Sequence, residues 1–100
     1  MKGVELFTKP KKWRSKKYME WVARRPSMLS GMIDRNVSHH HRVGTDGGTG
    51  MKPSDSYCIP LTYNEHDLFH AGRLFIDSEQ AFKAMVRQLT EYLIEEEGEG

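Results

Sequence analysis

The sequence predicts a small α+β domain, and three observations carry that reading. Phe82, Met85, Val86, Leu89, Tyr92 and Leu93 recur at helical spacing near the C-terminus. Tyr18, Trp21 and Val22 fall at i, i+3 and i+4, one face of a shorter helix. Between these helices, two short strand-like runs, 35–41 and 57–61, flank a glycine-rich segment. One hundred residues make one domain, 1–100, with a modest core; chains of this size often lean on a metal, a disulfide or a partner.

Taken in order, residues 1–12 read as a basic, loosely docked arm, because Pro10 cannot continue a helix. Ser15 can cap a helix running to about Arg25, which Pro26 ends. Residues 27–34 form a turn region around Gly31, and 35–41 a short strand. Four glycines and one proline between Arg42 and Ser56 predict a loop. Pro60 places the second strand at an edge or makes it end there. Thr62 or Asn64 can cap a helix through His70, which Ala71-Gly72 breaks. Leu74, Phe75 and Ile76 are expected on the core. Asp77 followed by Gln80 resembles a capping box for the last helix. Its apolar stripe reads as core in preference to a dimer face, although a homodimer is open. Residues 71–94 form this helical region, and the acidic residues 95–100 read as a solvated, frayed tail.

Charge is unevenly spread. Residues 1–50 carry eleven Lys/Arg against four Asp/Glu, and residues 51–100 four against ten. A basic half suits a polyanion, because Lys and Arg contacts to phosphate supply most non-specific affinity for nucleic acid. One cysteine excludes an internal disulfide framework and a cysteine-based zinc finger. The N-terminal residues lack the apolar core of a signal peptide, and no apolar run approaches the roughly 20 residues that span a bilayer. A cytoplasmic protein with no membrane partner is expected.

All five histidines lie between Ser38 and His70, as His39-His40-His41 and His66-x-x-x-His70. Residues four apart on a helix face the same way, so His66 and His70 can offer two imidazoles to one metal. A strand ending in adjacent histidines can supply the third ligand. Neighbours on a strand point to opposite faces, so one of such a pair can bind metal while the other faces a nucleophile. That division of labour suits phosphodiester hydrolysis, with a metal neutralising developing charge and a neutral imidazole taking a proton from water.

These residues resemble the HNH, or ββα-metal, nuclease superfamily. Its colicin-type DNase members carry a His-His pair, Gly-Gly seven and eight residues beyond the second histidine, and a helix with H-x-x-x-H. Here Gly47-Gly48 follows His40 at that spacing. A phage and prophage HNH family that includes recombination-enhancement nucleases is similar over about residues 13–70. The matching segments are Tyr18-Met19-Glu20-Trp21-Val22, Gly47-Gly48-Thr49-Gly50-Met51-Lys52-Pro53-Ser54-Asp55 and Pro60-Leu61-Thr62. Where such relatives place the four ligands of a structural zinc knuckle, this chain has Ser27, Ser30, Thr62 and Glu65. All four differ together while the histidines are kept, so the resemblance implies retained activity and no structural zinc.

The resemblance implies a ββα-metal motif flanked by an N-terminal and a long C-terminal helix. It also assigns roles. His39, His66 and His70 would hold one divalent metal (Mg, Mn, Zn or Ni), His40 would be the general base, and Asp55 would orient it. Reading the strand one residue later would make His40 the ligand and His41 the base; the Gly47-Gly48 spacing favours the first register. Arg42 and Lys52 are candidate phosphate contacts, and Lys11, Lys12, Arg14, Lys16 and Lys17 would track the DNA backbone. The expected function is a phage-type, metal-dependent endonuclease on DNA, non-specific or structure-specific, with a host or phage recombination protein as a candidate partner. The alternative is a non-catalytic module that binds DNA or a host protein and uses the histidines structurally.

Overall fold

The computed structural model describes residues 11–48 and 50–98. Most of the expected N-terminal arm, and Glu99-Gly100 of the expected tail, therefore lie outside the described residues. The chain runs α1 (Lys16–Ala23), β1 (Val37–His40), a 3-10 turn (Asp55–Tyr57), β2 (Cys58–Leu61), α2 (Tyr63–His70) and α3 (Ser78–Gly98). Among the described residues, three helices and a two-stranded antiparallel sheet make an α+β domain, and the order β1–loop–β2–α2 is compatible with a ββα motif.

The sheet pairs Val37 with Leu61, Ser38 with Pro60, His39 with Ile59 and His40 with Cys58. Because strand side chains alternate, the sheet has two distinct faces. Ile59 and Leu61 join Ile76, Ala81 and Met85 in one core cluster. Cys58 joins Tyr18, Val22 and Tyr92 in the other. α3 contributes to both clusters, and Gln88, itself buried, donates to the Cys58 carbonyl at 3.0 Å. Pro60 has no N–H to give, yet its carbonyl accepts from the Met28 N–H at 3.0 Å, which ties the 27–31 turn to β2.

Helix ends follow local chemistry. Ser15 caps α1 by accepting from the Tyr18 N–H, and α1 stops at Ala23, two residues before the expected end, with Arg24 as its C-cap. Of the two candidate caps for α2, Thr62 is the one used. It accepts from the Glu65 N–H while Glu65 accepts from the Thr62 N–H, a reciprocal capping box. Gly72, at φ +73°, turns the chain out of α2 as only glycine does without strain. Asp77 accepts from the Gln80 N–H at the start of α3.

Three expectations are corrected. Phe75 does not pack on the core: it is 82% exposed, while Ile76 beside it is buried. The apolar stripe of α3 divides, with Met85 and Tyr92 buried but Val86 67% and Leu93 49% exposed. The C-terminal acidic run is not frayed from Glu95 onward. α3 continues to Gly98, because Glu95 accepts from the Trp21 indole N–H at 3.1 Å and Glu96 from Lys17 at 2.7 Å, anchoring the helix to α1. No helix among the described residues is long and apolar enough to cross a membrane.

Candidate metal centre

Strand alternation separates the histidines. His39, 5% exposed, sits on the sheet face that α2 covers, with its ring edge-on to Phe69. The one-turn spacing of His66 and His70 brings their rings to the same place. Ring centroids lie 5.4 Å apart for His39–His66, 6.1 Å for His39–His70 and 4.4 Å for His66–His70. One nitrogen of each ring lies within 4.8 Å of one nitrogen of the others.

The donor set fits a divalent cation. The Nε2 atoms of His66 and His70 are 3.2 Å apart. Two imidazole nitrogens on one tetrahedral metal, each 2.0–2.1 Å away, stand about 3.3 Å apart. His66 Nδ1 is buried with no hydrogen-bond partner. Burial, followed by the neighbouring His66 and His70, pushes His39 down to about 4. Burial and His70 lower His66 as well. Both rings are therefore neutral at pH 7, the form that ligates a metal.

His40 occupies the opposite face. Its Nε2 lies 2.9 Å from Asp55 Oδ1, and Asp55 is only 2% exposed. The carboxylate is enclosed by donors. Ser15 N–H gives Oδ2 a 2.7 Å bond, and Arg14 approaches Oδ1 at 3.3 Å. Burial pushes the Asp55 carboxyl up, but the hydrogen bonds from His40 and Ser15, with Arg14 behind them, bring it below the usual carboxylate range. An ionised carboxylate accepts only, so the proton of a neutral His40 belongs on Nε2 and the lone pair on Nδ1.

His40, Asp55 and Cys58 also lie within ligand distance of one another. They fit a cation poorly. Burial and the Asp55 charge push the Cys58 thiol up to about 12, and the carboxylate already faces a guanidinium. We read this group as a His–Asp dyad beside a buried thiol.

His41 belongs to neither group. Its backbone N–H donates to Tyr57, its Nε2 lies 2.9 Å from Ser78 Oγ, and its ring meets Phe82 edge-on. His41 is thus set apart from both the His39–His66–His70 group and the His40–Asp55 pair. The loop between the strands is compact at Gly47, where an added Cβ would sit 2.9 Å from the Pro53 ring. Arg42 braces the loop through the Gly48 and Met51 carbonyls.

The expected phosphate contacts divide. Lys11, Lys16 and Lys52 are exposed and make no ion pair among the described residues. Lys12 faces Asp46 at 3.9 Å, and Lys17 holds Glu96. Arg14 is committed inward, to the Lys52 carbonyl at 2.9 Å, the Pro53 carbonyl and Asp55. Its clamp on Asp55, and that of the Ser15 N–H, were invisible in the sequence, since about forty residues separate the partners and no local pattern links them.

Ser27, Ser30, Thr62 and Glu65 do meet. Ser27 Oγ donates to Glu65 Oε1 at 2.6 Å and accepts from the Leu29 and Ser30 N–H groups at 3.0 and 3.2 Å. The Thr62 N–H donates to the same carboxylate oxygen at 2.9 Å. Burial raises the Glu65 carboxyl, but bonds from Ser27, Thr62 and Ser30 outweigh it and hold the group below the usual carboxylate range. Hydrogen bonds thus join the turn to α2 at the four positions.

The chain belongs to the family described as a protein of unknown function (DUF968), whose pattern matches residues 3–93. It is 33% identical over 63 residues to the uncharacterized protein YdfU of Escherichia coli (strain K12), an alignment covering 62% of this chain. That alignment takes in 18% of YdfU, so the chain spans less than a fifth of this relative. No solved structure matches the chain.

Proposed function

We propose that this domain is a metal-dependent HNH-type endonuclease that hydrolyses DNA phosphodiester bonds. The observation that carries the proposal is the division of adjacent strand residues. His39 joins His66 and His70 on one face, while His40 pairs with Asp55 on the other.

His39, His66 and His70 would hold one divalent cation. When bound, it would offset the negative charge developing on the phosphate and on the leaving oxygen. Asp55 fixes the His40 tautomer, with Nε2–H toward the carboxylate. His40 Nδ1 would then accept a proton from the attacking water as the water oxygen bonds to phosphorus and the bond from phosphorus to the leaving oxygen breaks, releasing that oxygen as an alkoxide that takes up a proton from solvent. Exposed Lys11, Lys16 and Lys52 would contact the DNA backbone, which positions a strand without reading its sequence.

A supercoiled-plasmid nicking assay with magnesium, manganese, nickel or zinc tests the proposal. Nicking is expected with at least one of them and none in chelator. Metal binding without nicking under any condition would overturn it and leave a structural histidine site in a binding module.

A further inference from the structure

We infer that a second site, separate from the histidines, binds the phosphate group of a nucleotide. It is a cavity of about 540 Å³ between the 25–29 turn, Pro60 of β2 and one face of α3. That volume lies in the range of small-molecule clefts, roughly 300–1,000 Å³. Its wall carries Arg25, Lys83 and Arg87 and no acidic side chain. No histidine lines it, so the inference stands apart from the nuclease proposal.

The three cations differ in readiness. Arg25 is preorganised: one guanidinium nitrogen holds Glu91, and the group lies 4.5 Å from the Trp21 ring centroid. A guanidinium has five N–H donors, so donors remain for an anion. Lys83 pairs with Glu79 at 3.1 Å, but both side chains are more than 70% exposed, and such a pair yields readily. The Arg87 side chain, one helical turn from Lys83, makes no hydrogen bond or ion pair among the described residues. Pro26, Met28, Leu29 and Pro60 add an apolar wall to the same lining, beside the polar Ser27, Gln80 and Gln88. Cations and apolar side chains lining one cavity suit a ligand with a phosphate at one end and a flat, weakly polar body at the other. A nucleotide has that chemistry, whether free or within a strand.

The test titrates the metal-free full chain in chelator with AMP, with pyrophosphate and with a short single-stranded oligonucleotide, following backbone amide NMR shifts. The expected result is AMP binding that shifts Met28, Leu29, Lys83 and Arg87, with pyrophosphate weaker because it lacks a body for the apolar wall. AMP alone binding would assign a free nucleotide; the oligonucleotide alone binding would assign a strand phosphate. K83E/R87E should weaken binding at least tenfold and lower the thermal midpoint, because it sets like charges four residues apart with Glu79 and Glu91; K83Q/R87Q should weaken binding less and leave the midpoint nearly unchanged. H66A/H70A should bind as wild type does. Binding by none of the probes, shifts confined elsewhere, or K83E/R87E binding like wild type would overturn the inference.

Discussion

At the scale of residues, Asp55 is the hinge of the candidate site, because it joins His40 to the start of α1. Its folded carboxyl lies below the usual range, so the stability it contributes is present above the unfolded value of about 3.9. That contribution is lost as pH falls through the folded value. Asp55→Asn should cost about 1.5–3 kcal/mol at pH 7, the size of a hydrogen bond to a charged group. The difference from wild type should shrink below about pH 4, and urea unfolding at pH 7 and pH 3 would show it. Arg14→Ala should weaken both nicking and stability, since it frees the Lys52 and Pro53 carbonyls as well as Asp55. The histidines were legible in the sequence because their chemistry follows from two periodicities, four on a helix and two on a strand. The Arg14 clamp was not, because only the folded chain brings residue 14 to residue 55.

Among elements, α2 is braced at one end and carries two histidines of the candidate site. Its first turn is tied to the 27–30 turn through the Glu65 carboxylate, and His66 and His70 follow within the same two-turn helix. Glu65→Ala removes the acceptor shared by Ser27 and Thr62. It should destabilise the domain by about 1–3 kcal/mol, measured by thermal or urea unfolding. It should also weaken metal affinity, because the helix start would loosen. S27C/S30C/T62C/E65H should create a zinc site at these four positions, seen as one additional tightly bound zinc by mass spectrometry under native conditions. The helices were legible because Ser15, Thr62 and Asp77 are strong caps at expected places. The fate of Phe75 was not, since a three-residue apolar run has no period and only the turn into α3 decides which side chain faces inward.

Across the whole molecule, the sheet is too small to hold the fold alone. Two strands of four residues form a partition between two small cores, and α3 joins both. Met85→Ala should therefore cost about 2–5 kcal/mol, a large share of a small domain's stability. A metal bound to His39, His66 and His70 would link α2 to β1, and free metal at a hundred times its Kd would stabilise by about 2.7 kcal/mol. The thermal midpoint should rise with zinc or nickel in wild type and not in H66A/H70A. The α+β class was legible from periodicity. The extent of α3 was not, because a glutamate run reads equally as a tail or as a helix end until Trp21 and Lys17 are seen to hold it. The most direct measurement is plasmid nicking by wild type and His40→Ala, with metal affinity determined on the same preparations. The account predicts that His40→Ala keeps its metal affinity and loses about 10²–10⁴-fold in nicking rate, the usual contribution of a general base. A wild type that binds metal but never nicks, or a His40→Ala protein that nicks as fast as wild type, would contradict it.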